Sequence, residues 1–207
     1  MPATPIWENP SSSAHWRSWA SSCGPCGLRD ALMTGILGTR ELGWADEAGC
    51  AACAARLARC AALRDAFIAL EGPLGAGKTT FVRHLLRALG VSGRIKSPTY
   101  AVLEPHEAGD LWIAHLDFYR LADPHEWEDA GLREVFAQPG LKLAEWAERV
   151  PGLLPAADLR LRIEPIAGPL PDEPDARRVQ AQALSARGLA LLEALAPPPS
   201  AQGCDAA

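Results

Sequence analysis

Eight residues, Gly72-Pro73-Leu74-Gly75-Ala76-Gly77-Lys78-Thr79, constrain this 207-residue chain more than any other feature, because they match the pattern GxxxxGK[ST]. Upstream, Phe67-Ile68-Ala69-Leu70 is an apolar run too short for a helix, as expected for a buried parallel strand. Downstream, Phe81, Val82, Leu85, Leu86 and Leu89 recur at helical spacing, and Gly90 can end the segment. Strand, loop and helix in that order make the octapeptide a phosphate-binding P-loop. Gly75 and Gly77 allow the backbone to wrap an anion with its N–H groups inward, at the positive end of the following helix. Lys78 brings a charge toward the β and γ phosphates, and the Thr79 hydroxyl suits Mg2+, which prefers oxygen ligands. The expected ligands are ATP and Mg2+, and the expected nucleotide contacts are Gly72, Gly75, Ala76, Gly77, Lys78, Thr79 and Thr80, with Trp146 added from a later segment. Pro73 removes one N–H, at the start of the loop where phosphate contacts are few.

Around this unit the sequence predicts a helix from Asp46 to about Ala62, with Asp46 and Glu47 at its positive end. Further strands are expected at Tyr100 to Glu104, Leu111 to Asp117, Leu141 to Glu145, Leu159 to Glu164 and Arg178 to Ala183. A helix or turn is expected over Pro124 to Phe136, and a helix over Ser185 to Ala196, stopped by Pro197-Pro198-Pro199. The fold class is α/β: a P-loop NTPase-like, mostly parallel sheet flanked by helices, with some antiparallel strands toward the edge. Residues 1–40, rich in Ser, Pro, Gly and Trp, read as a disordered extension, 41–196 as the P-loop ATPase domain and 197–207 as a flexible tail. Met33 opens more ordinary sequence and is a candidate natural start.

Composition narrows the function classes. Hydrophobic residues at 48% and charged residues at 22% suit a globular core, and no stretch reaches the roughly 20 apolar residues needed to cross a bilayer. A cytoplasmic address is expected. The formal net charge of -5 argues against broad attraction to nucleic acid, so contact with RNA would be local or made through partners. Cys23, Cys26, Cys50, Cys53, Cys60 and Cys204 include two CxxC pairs. Cys50, Cys53 and Cys60 fall in an Ala-rich helical pattern, where a reduced cysteine behaves as a small apolar residue. Cys23-Gly24-Pro25-Cys26 lacks the preceding apolar strand of a redox βαβ unit, so redox and zinc roles are set aside.

A P-loop needs a carboxylate on a neighbouring strand to orient magnesium through water. Asp117 ends the apolar run from Leu111 to Leu116, and Glu145 ends another. Both strand ends should reach the carboxyl edge of the sheet, where ligands bind. Asp117 is read as the metal-side acid and Glu145 as the residue that positions the attacking water or assists at the metal. His115 is read as a packed strand residue beside the site, Trp112 and Trp127 as packing residues, and Trp146 as a ring that closes over the nucleotide or touches a partner.

Four blocks in order, GPLGAGKTTFVRHLLRALG, KSPTY at Lys96 to Tyr100, HLDFYR at His115 to Arg120 and LAEWAER at Leu143 to Arg149, resemble the TsaE family. The resemblance runs from about Thr39 to Ala196, and its last three blocks are not general P-loop features. It implies a bacterial ATPase required for making threonylcarbamoyladenosine in tRNAs that read codons beginning with A. It further implies phosphate and magnesium binding by Lys78 and Thr79, a switch-like hydroxyl near magnesium at Thr99, an acidic Walker B role for Asp117, and a functional pair in Glu145 and Trp146 with Glu145 acting in hydrolysis. Pro73 stands where the family usually has Asp or Asn, and Ala147 where it usually has Pro. The implied partners are the TsaD and TsaB proteins, with tRNA reached only through the complex. Threonylcarbamoyl transfer would take place on TsaD while this chain's ATP cycle resets or activates the assembly.

The main alternative is an independent small-molecule kinase, which predicts an Arg-rich lid and an acceptor site; Ala122 to Glu134 is acidic instead. A GTPase would need an Asn-Lys-x-Asp motif, and the sole asparagine is Asn9. An ABC-type ATPase would need its Gly-rich signature. A nucleotide-gated adaptor that barely hydrolyses ATP is the remaining class.

Overall fold

A strand that is apolar on both faces must be covered on both, and Phe67–Glu71 is buried at every position. In the computed structural model, which describes residues 35–98, 101–121, 131–166 and 176–196, this strand lies at the centre of a sheet. The elements in chain order are β1 (Gly38–Trp44), α1 (Glu47–Ala58), a 3-10 turn (Ala61–Asp65), β2 (Phe67–Glu71), α2 (Lys78–Ala88), β3 (Leu103–Ala108), β4 (Leu111–Asp117), α3 (Leu132–Ala137), β5 (Leu141–Glu145), a 3-10 turn (Ala147–Arg149), β6 (Leu159–Pro165), β7 (Arg177–Ala183) and α4 (Ala186–Ala194). Among the described residues the sheet has seven strands in the order β1-β7-β6-β2-β5-β4-β3. The four central strands, β6-β2-β5-β4, are parallel, whereas β1, β7 and β3 join antiparallel at the two sides.

Period-two alternation sends successive side chains to opposite faces, so each central strand feeds two cores. Ile68, Leu70, Leu143, Leu161 and Val179 pack with α1, α2 and α4 in one cluster. Phe81 in α2 is fully buried there and stacks on Trp44, with ring centroids 5.5 Å apart. Its burial alone contributes about 2 kcal/mol. Phe67, Ala69, Leu116 and Ala144 form the other cluster with Leu132 of α3 and Val150. Asp46 caps α1 by accepting the Gly49 N–H at 2.8 Å, and Ser185 caps α4 by accepting that of Gly188 at 3.0 Å.

Three elements differ from the sequence expectation. Gly38–Trp44 is a strand where no element was expected before Asp46. It is an edge strand, half-buried on alternate residues, and its two glycines and three polar residues hide the alternation. The strand expected at Tyr100 to Glu104 instead occupies Leu103–Ala108, carrying Pro105 at an edge where a missing ladder N–H is tolerated. The helix expected to reach about Ala62 ends at Ala58 and re-forms as a 3-10 turn, because the chain must reverse to feed β2. Of the segment expected as helix or turn over Pro124 to Phe136, residues 124–130 lie outside the described residues, as do Cys23, Cys26, Thr99, Trp127 and Cys204.

Candidate functional site

The loop between β2 and α2 is held by close backbone packing at its first residue. Gly72 has φ 134°, and a Cβ there would stand 2.1 Å from the Ile163 carbonyl oxygen of β6, so no other residue fits without moving that strand. Gly75 and Gly77, at φ 79° and 104°, carry the turn into the helix. Gly77 is the N-cap of α2 and provides no side-chain acceptor. The first N–H groups of α2 therefore have no intrahelical partner, an arrangement that suits an anion.

Lys78 is 4% exposed. Its Nζ donates to the carbonyls of Gly72 at 2.7 Å and Pro73 at 2.9 Å, and the Trp146 ring covers it with the centroid 3.6 Å away. Burial pushes the Lys78 ammonium below the usual lysine range, against the opposing pull of Glu145, Glu148 and Asp117. Trp146 sits in the left-handed region at φ 61°, its N–H donating to the Leu70 carbonyl at 3.0 Å. Its ring also approaches Tyr119, centroids 5.1 Å apart, while Arg149 lies over both rings and donates to the Tyr119 carbonyl.

The Thr79 hydroxyl donates to the Glu145 carboxylate, 2.9 Å from Oε1 and 2.8 Å from Oε2. The same Oε1 stands 2.9 Å from Nε2 of His115, which is fully buried. Asp117 lies beside Glu145 in the parallel register of β4 and β5 and is 3% exposed. Its carboxylate accepts from the Ser97 hydroxyl and, at 2.9 Å, from the Tyr119 N–H. His115 and Asp117 alternate on one strand face, and His115 touches Glu145, which touches Thr79. The face carrying Asp117 is therefore the face that meets the start of α2.

The structure thus brings Lys78, Thr79, Asp117, Glu145 and Trp146 to one edge of the sheet, with Gly72, Gly75, Ala76 and Gly77 forming the loop and Thr80 half-buried in the first turn of α2. Thr99 lies outside the described residues. Trp146, expected at the nucleotide or a partner, lies over Lys78. Sequence reasoning missed Arg177, whose Nε donates to the Ala76 carbonyl at 2.9 Å. It also missed Glu71 as the ion-pair partner of Arg160 and Arg162, at 3.0 and 3.1 Å. No local motif marks either; both follow from strand order. Cys50 and Cys53 are buried in α1, and burial pushes the Cys50 thiol up to about 12, so it packs as a neutral group.

The donor set fits a nucleotide with Mg2+. Unpaired helix N–H groups and an ammonium suit phosphate, and the Thr79 hydroxyl and Asp117 carboxylate are hard oxygen donors. A Cβ at Gly75 would meet nothing within 4 Å, so the loop is open there. Among the described residues no three His, Cys, Asp or Glu side chains are grouped so as to hold a metal together.

A family model described as threonylcarbamoyl adenosine biosynthesis protein TsaE matches residues 44–168. The tRNA threonylcarbamoyladenosine biosynthesis protein TsaE of Haemophilus influenzae is 45% identical over 95 residues, covering 46% of this chain and 60% of that protein. Its namesake in Bacillus subtilis is 40% identical over 97 residues, covering 47% and 60%. The chain thus spans 60% of the length of these two relatives. The crystal structure of Bacillus subtilis YdiB superposes with a TM-score of 0.63 at 26% identity, covering 78% of this chain and 96% of that one. Because the match takes in the loop, both strand-end carboxylates and the ring over Lys78, the chain belongs to the TsaE family.

Proposed function

We propose that this chain binds ATP with Mg2+ at Gly72–Thr79 and hydrolyses it as the ATPase of a tRNA threonylcarbamoyladenosine machinery, in step with TsaD and TsaB. The observation that carries the ATPase part is the chain of contacts from Thr79 through Glu145 to His115. Its place in tRNA modification is supported by the relatives, which are tRNA threonylcarbamoyladenosine biosynthesis proteins.

When bound, the nucleotide supplies a reactive γ-phosphoryl group and Mg2+ neutralises charge building on its oxygens. The loop N–H groups and Lys78 would hold the phosphates; for this, Lys78 would give up its two carbonyl acceptors. Thr79 and Asp117 would hold the metal, Asp117 through water. With its hydrogen on Glu145, the Thr79 hydroxyl leaves its oxygen lone pairs directed outward. Glu145, fixed by Thr79 on one side and His115 on the other, would orient the attacking water and accept its proton. Trp146 and Arg149 would cover the site and restrict bulk water.

Such division of labour leaves acyl transfer to the partner, and this chain contributes timing. Phosphate release measured from the purified chain alone and with TsaD and TsaB tests it: slow release that the partners accelerate is expected. Rapid phosphorylation of a metabolite without partners would favour the kinase and overturn the proposal. Replacing the chromosomal copy by a Lys78→Ala allele should abolish the tRNA modification; unchanged modified-nucleoside content would remove the link to tRNA. Among the described residues no helix is long and apolar enough to cross a membrane.

A further inference from the structure

Arg177 begins β7, 98 residues beyond Thr79 in sequence, yet it reaches the phosphate loop. Its Nε donates to the Ala76 carbonyl at 2.9 Å, and its Nη1 donates to the Ala176 carbonyl at 3.1 Å. The backbone beneath it is fixed on both sides, since Arg177 pairs with Trp44 of β1 and with Pro165 of β6. The donor therefore issues from sheet rather than from loop.

Ala76 is flanked by two glycines. Gly75 and Gly77 both have positive φ, and glycine populates positive and negative φ with similar ease. Sterics alone thus leave the plane of the Ala76–Gly77 peptide poorly determined. A trans peptide is planar, with its C=O and the following N–H directed oppositely. Tying the Ala76 carbonyl to Arg177 consequently turns the Gly77 N–H away from that arginine. Arg177 packs beside the turn: a Cβ at Gly77 would stand 3.9 Å from Nε. The Gly77 N–H then faces the side of the turn away from Arg177.

We propose that Arg177 is a positioning residue that holds the Ala76–Gly77 peptide with the Gly77 N–H facing the phosphate. The inference rests on the nucleotide-binding reading above. Arg177 acts through the loop backbone and touches no reacting atom. It also links the antiparallel β1-β7 wing to the site, so the loop's shape depends on a strand outside the GxxxxGK[ST] motif.

The test titrates ADP with Mg2+ into the full chain carrying 15N-glycine and follows the Gly77 amide, alongside Arg177→Met, Arg177→Lys and Lys78→Ala. In the wild type the Gly77 resonance should move downfield on binding. Arg177→Met keeps the apolar stem and removes the donors. It should weaken ADP binding about tenfold, the value of one lost hydrogen bond to a charged system, and abolish the Gly77 shift in a chain that remains folded. Its KM for ATP should rise with kcat little altered. Arg177→Lys keeps a donor and should recover most of the affinity. Wild-type affinity and an unchanged Gly77 shift in Arg177→Met, with Lys78→Ala unable to bind, would overturn the proposal and leave the nucleotide reading intact. A wild-type chain that binds no ADP would overturn both.

Discussion

Thr79 in the first turn of α2 and Glu145 at the end of β5 are joined through one hydroxyl set between two carboxylate oxygens, at 2.9 and 2.8 Å. His115 approaches one of those oxygens from β4, so three elements fix a single acid that is 2% exposed. Those contacts hold the acid's orientation from within the fold, as the water-orienting role proposed for it would require.

Glu145→Ala should retain ATP and lose turnover by about a hundredfold or more, the usual contribution of a positioned acid–base group. Lys78→Ala should lose phosphate binding itself. Equilibrium binding and phosphate release measured on both variants separate the roles; equal loss of binding in the two would contradict them. Glu145→Ala should also lower stability by about 1–3 kcal/mol, since it leaves the buried His115 Nε2 without its partner.

Trp146 carries a positive φ that costs a non-glycine residue about 1–3 kcal/mol, and its ring covers the Lys78 ammonium. Trp146→Ala loses the ring and keeps the strain, whereas Trp146→Gly loses the ring and relieves it. Trp146→Gly should therefore be the more stable by about 1 kcal/mol in urea titrations. Equal stability would show that the backbone there is unstrained.

Two glycines of the same loop should respond unequally to alanine. At Gly72 the new Cβ meets the Ile163 carbonyl, whereas at Gly75 it meets open space. Gly72→Ala is expected to destabilise by more than about 3 kcal/mol and Gly75→Ala by about 1 kcal/mol, from backbone strain alone. Denaturant midpoints check the order.

Burial lowers the His106 imidazole below its ordinary 6.5, with His115 adding to the effect and Glu104 opposing it. Between that depressed value and 6.5 the unfolded chain binds more protons than the folded one. Acidification through this window therefore lowers stability, and raising the pH restores it. His106→Gln should lose less stability than the wild type between about pH 7.5 and about pH 5. An unchanged difference, measured by urea midpoints at the two values, would remove His106 as a cause.

How legible each part was depends on where its information resides. β2, β4 and β5 are buried on both faces, so each reads as an apolar run, and the acids ending β4 and β5 stand out against it. Glu104, Pro105, His106 and Glu107 make β3 look like a loop, and β1 buries only alternate residues. Lys78 and Thr79 could be found because their motif is contiguous. Arg177 could not, because its reach to Ala76 exists only once β7 and β6 are laid beside β2. The cover of Trp146 over Lys78 depends on a left-handed turn after Glu145 that no glycine announces.

Asp117 and Glu145 are neighbours across a strand pair, not along the chain. Their spacing is thus an interstrand distance, about 4.8 Å between backbones, and it does not depend on how many residues run from Phe118 to Gly140. The described parts of that excursion are tied to the core through Phe118 and Leu132, while the separation of the two acids is set by the β4–β5 ladder alone.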